Sequence, residues 1–187
     1  MKITEYELVE GCKKGDRKCQ EQLYKSLSSK MFGVCLRYAK SKEEAEDMLQ
    51  GGFVKVFTKI HVFNYSGSLE GWVRKIMVHT AIEVYRKNRF MSCTIDIDEN
   101  INAYSPVVYQ EELGVKDLQT LISRLPGTYR IIFNMYSIEG YSHREIAAEL
   151  GISEVLSRTQ LSRARAILKN KLALIEKNSR RQLSETC

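Results

Sequence analysis

Between Tyr141 and Arg165 the chain reads YSHREIAAELGISEVLSRTQLSRAR, a run whose residue types suit recognition of a polyanion rather than bond making. Ile146, Ala147 and Leu150 give a short helix one apolar face. Gly151 is suited to the positive φ that ends it, and Ser153 can cap a second helix. At about 100° per residue that second helix places Leu161, Ala164, Leu168 and Leu172 on one side, with Val155, Arg158, Thr159, Ser162 and Arg163 on the other. After Glu154, the cations Arg158, Arg163, Arg165, Lys169 and Lys171 follow with no carboxylate among them. A helix that merely solvates its outer face ordinarily mixes signs, so the spacing predicts a helix-turn-helix whose second helix enters a DNA major groove.

A second cationic surface is predicted on a helix running from near Trp72 to about Arg89. Its inner face is Trp72, Val73, Ile76, Met77, Thr80 and Val84, and its outer face is Arg74, Lys75, Val78, Ile82, Tyr85, Arg86 and Arg89. Cations interleaved with an aromatic and aliphatics serve phosphates and exposed bases together, although Tyr85 and Ile82 could equally cover a neighbouring helix. The loop HVFNYSGSLEG precedes it. Further upstream, Ser41 and Glu44 have capping-box spacing for a helix over Lys42 to Ile60, whose apolar face is Ala45, Met48, Leu49, Phe53, Val56 and Ile60. Opposite lie Glu43, Asp47, Gln50, Gly51, Val54 and Thr58, a mixture suited either to a protein partner or to water. Gly51 and Gly52 each cost about 0.5–1 kcal/mol in a helix interior, so packing must hold the segment or it kinks.

These elements belong to an all-α chain of two small helical domains joined by an acidic flexible linker. The first domain is expected over residues 1–90, the linker over 91–112, and the helix-turn-helix domain with a basic tail over 113–187. Of the 187 residues, the first block carries 17 cations and 11 carboxylates, the linker none and 5, and the last block 12 and 7. A net charge of +6 fits a polyanion partner. Pro106 and the polar run TIDIDENINAYSPVVYQEE suggest an extended connector, with a short strand over TIDIDENI as the alternative. Cys12, Cys19, Cys35, Cys93 and Cys187 are odd in number and form no C-x-x-C pair, so reduced thiols are expected rather than disulfides or a metal site, with a redox-sensing thiol as the minor alternative. No signal-peptide core and no run of about 18 apolar residues is present, so a cytoplasmic chain without stable membrane insertion is expected. His61, His79 and His143 lack metalloprotease spacing, and there is neither a phosphate-binding glycine-lysine loop nor a G-x-S-x-G elbow. Neither catalysis, a cofactor nor a metal is expected.

Three segments in order resemble the bacterial extracytoplasmic-function (ECF) sigma factors, the promoter-recognition subunits of RNA polymerase. AEDMLQGGFVKVFTKI (Ala45 to Ile60) is similar to the family's polymerase-binding helix. GSLEGWVRKIMVHTAIEVYRK (Gly67 to Lys87) is similar to its segment that melts and reads the −10 element, and LPGTYRIIFNMYSIEGYSHREIAAELGIS (Leu125 to Ser153) to its −35-reading domain. The resemblance implies a non-enzymatic subunit that partners core RNA polymerase, promoter DNA and an anti-sigma factor. It implies that Asp47 and Gln50, on the face shared with Gly51 and Val54, contact the polymerase. The loop from Asn64 through Tyr65 and Ser66 to Ser68 would capture a flipped −10 base, at a cost of a few kcal/mol for extrusion. Arg74, Lys75, Tyr85, Arg86 and Arg89 would hold the separated strand, with Trp72 turned to the core. Arg158, Ser162 and Arg163, flanked by Val155 and Thr159, would read the −35 element, while Arg165 and Lys169 grip phosphates. The acidic linker would thread toward the polymerase cleft.

Two departures qualify this. Gly51 and Gly52 stand where the family usually has an acidic residue and then a small or β-branched one. Val155 and Leu156 replace a common Gly-Thr and either meet thymine methyls or obstruct the DNA backbone. The rival from another class is a one-component helix-turn-helix regulator with an N-terminal sensing or dimerisation domain, which would bind palindromic half-sites.

Overall fold

The computed structural model describes residues 3–91 and 115–185, which fall into two compact units, one drawn from residues 1–93 and the other from 94–187. Among the described residues there are helices and turns but no strand. Apart from Met91, the acidic connector expected at 91–112, with its alternative strand, lies outside them, as do Cys93 and Cys187.

The first unit comprises α1 (Glu5–Lys13), α2 (Arg17–Tyr38), α3 (Lys42–Lys59), a 3-10 turn (Ile60–Val62) and α4 (Leu69–Met91). Local chemistry sets each start. Thr4 Oγ1 accepts from the Glu7 N–H at 3.2 Å while Glu7 Oε2 accepts from the Thr4 N–H at 2.9 Å, a complete capping box. Asp16 caps α2 by accepting from the Lys18 N–H at 2.8 Å. At α3 only half of the expected box forms. Ser41 Oγ accepts from the Glu44 N–H at 3.3 Å, but the Glu44 carboxylate accepts from the Lys40 N–H at 2.5 Å and from Asn88 Nδ2 at 2.9 Å. Glu44 therefore links the start of α3 to the end of α4. Helix α4 begins at Leu69 rather than near Trp72, because Ser68 Oγ accepts from the Gly71 N–H at 3.1 Å.

The apolar face expected for α3 is buried throughout: Ala45, Met48, Leu49, Phe53, Val56 and Ile60 all lie in the core. The helix runs unbroken through its two glycines. A Cβ at Gly52 would stand 2.2 Å from Met77 Sδ, whereas one at Gly51 would meet nothing nearer than Thr80 Cγ2 at 4.0 Å. Gly52 is thus the hollow that admits the fully buried Met77 of α4, and this contact holds the glycine pair in the helix.

The reading of α4 needs correction. Val78 and Ile82, expected on the outer face, are each 1% exposed and belong to the core with Val73, Met77, Thr80 and Ala81. Helix α4 packs against both α2 and α3, so its buried arc is wider than a helix with one neighbour would need. Trp72 is half-buried, its ring centre 5.4 Å from that of Phe63.

The second unit comprises α5 (Val115–Ser123), α6 (Gly127–Phe133), a π-helical turn (Asn134–Ile138), α7 (His143–Leu150) and α8 (Glu154–Glu185). Leu121, Ile122 and Leu125 pack on Ala164 and Leu168 of α8. Buried Arg130 donates from Nη1 to the Ser123 carbonyl at 2.9 Å, satisfying an acceptor at the end of α5. The helix-turn-helix forms as the sequence predicts. Ile146 and Leu150 are buried, with Ala147 half-buried. Gly151 has φ 64° and ψ 41°, and Ser153 Oγ accepts from the Leu156 N–H at 3.1 Å. A capping box adds to it: Ser142 Oγ accepts from the Glu145 N–H, and Glu145 Oε2 from the Ser142 N–H at 2.8 Å. The Ser142 hydroxyl, donating to Glu145 Oε2 at 2.7 Å, and then the Ser142 N–H hold the Glu145 carboxyl below the usual range.

A polar contact ties α7 to α8. His143 Nδ1 lies 2.9 Å from Oγ of Ser157, which is fully buried, and the imidazole stacks on Tyr136 at 4.5 Å. Burial, then the charges of Arg158 and Arg165, lower the His143 pKa.

Two predictions follow from this packing. Gly51→Ala should stabilise the chain by about 0.5–1 kcal/mol, since helix propensity is gained at no steric cost. Gly52→Ala should instead lose about 1–2 kcal/mol as overpacking against Met77 outweighs that gain. Urea unfolding checks both, and equal gains would contradict the fitted contact. Because folded His143 titrates below the 6.5 of a free imidazole, folding favours the neutral ring: its contribution is complete above that value and is lost as pH falls through the lowered pKa. Thermal melts from about pH 7.5 to 5 should show a smaller acid-side fall in stability for His143→Gln than for the parent.

Candidate functional site

Three exposed surfaces carry the residues singled out in the sequence. On α3, Asp47 and Gln50 are exposed, Val54 is 66% exposed, and half-buried Gly51 lies between them. Next to this strip is a groove of about 360 Å³ lined by Tyr24, Ser28, Ser29 and Phe32 of α2 with Glu46, Leu49 and Gln50 of α3.

The second surface consists of the loop before α4 and the helix itself. Asn64 and Ser66 are exposed and joined in a turn: Asn64 Oδ1 accepts from the Ser66 N–H at 3.2 Å and from Ser66 Oγ at 2.7 Å. Tyr65 between them has φ 61°, the only non-glycine residue with positive φ among the described residues. Its hydroxyl donates to Glu10 Oε1 of α1 at 2.8 Å, and that same oxygen accepts from Lys13 Nζ at 2.9 Å. Burial and then the bond to Glu10 push the Tyr65 phenol up to about 12. Tyr65 is therefore joined to α1 through its polar end.

Along α4, Lys75 and Arg86 are exposed and share a face with His79, Glu83 and Lys87, while Arg74 and Tyr85 are half-buried on another side. The side chain of Arg89 lies outside the description. With Val78 and Ile82 in the core, the face lacks the aliphatics expected among its cations. Glu83, in the middle of the strip, forms an ion pair with Lys55 of α3 that offsets its negative charge. What remains is a narrow basic edge suited to phosphates.

The third surface is the outer face of α8, where the side chains expected to face outward are exposed. Val155 is 70% exposed, and Arg158, Thr159, Ser162, Arg163, Arg165 and Lys169 are all exposed. Two arginines are pre-oriented: Arg158 bonds Glu154 at 2.9 Å, and the Arg165 guanidinium lies 5.5 Å from the centre of the Tyr136 ring. Thr159 donates its hydroxyl to the Val155 carbonyl at 2.9 Å, leaving its methyl and the Val155 isopropyl as the apolar contribution to this face.

Several participants were missed in the sequence. Glu10 and Lys13 support the Tyr65 loop, and His143, Tyr136 and Ser157 brace the helix-turn-helix. The only local signal was the Thr4-to-Glu7 capping spacing that opens α1. The thiols of Cys12 and Cys35 are pushed up to about 11 by burial, and burial raises that of Cys19 as well. None of the three is poised as the thiolate a redox sensor requires. Among the described residues, no helix is long and apolar enough to cross a membrane.

Comparison with known proteins places these surfaces in a family. Residues 23–91 match the family described as Sigma-70 region 2, and residues 116–168 that described as Sigma-70, region 4. The ECF RNA polymerase sigma factor SigE of Mycolicibacterium smegmatis is 28% identical over 161 residues, covering 82% of this chain and 61% of that protein. SigW of Bacillus subtilis is 24% identical over 176 residues, covering 88% of this chain and 94% of its own. The ECF RNA polymerase sigma-E factor of Salmonella typhimurium is 27% identical over 182 residues, covering 91% and 95%. With both regions matched in order on two compact helical units, the chain belongs to the ECF RNA polymerase sigma factors, a family that serves promoter-specific transcription initiation.

Proposed function

We propose that this chain docks on core RNA polymerase through Asp47, Gln50, Gly51 and Val54 of α3, and brings it to promoters of two spaced elements. In this reading residues 1–90 form the polymerase-binding and −10-binding domain, residues 91–112 the connector, and residues 113–187 the −35-binding domain. Asn64 and Ser66 meet an extruded −10 base, and Lys75, Arg86 and Arg89 hold the separated strand by its phosphates, with Arg74 and Tyr85 at the margin. Arg158, Ser162 and Arg163 face −35 base edges, Val155 and Thr159 offer methyl groups to thymine, and Arg165 and Lys169 grip phosphates. The observation that carries this reading is the outer face of α8, cationic and exposed over successive turns beyond a capped helix-turn-helix. Its length beyond the turn lets the same helix both enter a groove and flank it.

Catalysis in this account belongs to the polymerase, and the chain works in the cytoplasm as a non-enzymatic subunit without a cofactor. An anti-sigma protein restrains it by covering the α3 strip and the cationic face of α8, which are the surfaces the two productive partners require.

Three expected outcomes test the assignments. Asp47→Ala combined with Gln50→Ala should weaken assembly with core polymerase about tenfold, read by fluorescence anisotropy, while the helix content stays unchanged. On promoter DNA bound by the holoenzyme, Arg163→Ala should cost about 1–3 kcal/mol and relax preference at one −35 position. Lys169→Ala should weaken binding evenly across −35 sequences and reduce its salt dependence. If Arg163→Ala lowers affinity equally for every −35 sequence, its place at base edges is lost.

A further inference from the structure

We propose that Glu10 of α1 is a positioning residue for the loop at 64–68, holding Tyr65 so that the Asn64–Ser66 turn is already in the conformation that receives an unpaired base. The inference rests on the reading of that loop as the −10 base-binding element, and it adds α1 to the machinery.

A bulky residue with φ 61° occupies the left-handed region, where its Cβ crowds the backbone, and such a conformation persists only where surrounding contacts impose it. Here the contacts come from α1 and from Phe63. Glu10 Oε1 receives the Tyr65 hydroxyl at 2.8 Å and Lys13 Nζ at 2.9 Å, so one carboxylate oxygen fixes both groups. Lys13 Nζ then stands 4.9 Å from the centre of the Tyr65 ring. Tyr6 of α1 and Phe63 close two further sides, with ring centres at 5.4 Å and 5.0 Å. Glu10, Lys13 and Tyr6 all come from α1, and Tyr65 is the central residue of the turn that Asn64 and Ser66 make.

A ring held at the middle of a turn fixes the residues on both sides of it. Asn64 and Ser66 are exposed, and a turn held in one conformation offers their donors and acceptors to a base without first being ordered. When the restraint is removed, the binding conformation becomes one of several, and apparent affinity falls by the fraction of molecules that still populate it. Helix α1 thereby contributes to capture of the open strand without touching it.

The test uses holoenzyme reconstituted with core polymerase and a fluorescent single-stranded oligonucleotide carrying a −10 sequence recovered from a promoter library. Glu10→Leu and Tyr65→Phe should each reduce affinity for the oligonucleotide about three- to tenfold, and the double variant no further. Glu10→Gln, which keeps an acceptor for the Tyr65 hydroxyl, should restore most of the loss. Affinity for core polymerase should be unchanged in all of them, which a general weakening of the fold would not allow. Asn64→Ala separates the two ideas. If it reduces oligonucleotide affinity while Glu10→Leu does not, the positioning role is overturned and the loop assignment stands. If Asn64→Ala has no effect, the loop assignment itself fails and takes this inference with it. Additive losses in the double variant, or a matching fall in core affinity for Glu10→Leu, would also overturn the positioning role.

Discussion

Met77 seated in the hollow over Gly52 sets how closely α3 and α4 approach, and the division of labour in the first unit follows from that approach. A Cβ at position 52 would collide with the Met77 sulfur at 2.2 Å, so any larger residue there would have to displace the buried Met77 side chain. With α2 packed on another side, α4 gives Val73, Met77, Val78, Thr80, Ala81 and Ile82 to the core. Little of its circumference is left for a partner, and that part is charged. In the proposed function, contact with bases therefore falls to the loop before it, while the outer side of α3 stays open with Val54 exposed.

The second unit solves a different problem, which is to present one long helix at a defined angle. Gly151 turns the chain at φ 64°, Ser153 satisfies an N–H at the start of α8, and the His143–Ser157 contact links the first turn of α7 to α8. A cap of this kind contributes about 1 kcal/mol. Its larger effect is on geometry, because the arginines of α8 are useful only if the helix is delivered in register. Tyr136 joins the same brace, lying between the His143 ring and the Arg165 guanidinium. A residue expected simply to grip phosphate is thus pre-oriented by the element that fixes the turn.

How much of this could be read from the residues depended on how local the determining contacts are. The inner face of α3 and the Leu161, Ala164 and Leu168 stripe of α8 were legible because a single apolar stripe repeats with the helical period. Gly151 and Ser153 were legible because backbone conformation and capping are settled within a few residues. Val78 and Ile82 were misplaced because periodicity reports one buried face, and α4 has two neighbours. The capping box at Ser41 formed only by half because Asn88, 44 residues away in sequence, competes for the Glu44 carboxylate. The clamp on Tyr65 spans 55 residues, and no spacing rule connects Glu10 to it. The candidate site was therefore legible where one helix carries it, as on α8, and illegible where a loop is shaped by a distant helix.

The central claim is that two separate helical surfaces engage two spaced stretches of one promoter only while the chain is seated on core polymerase. Footprinting of promoters selected from a random library, with and without core enzyme, tests it most directly. The account predicts an asymmetric pair of protected elements, with strand opening at the downstream one, seen only when core polymerase is present. Protection of an inverted repeat by the chain alone, with no change on adding polymerase, would contradict it.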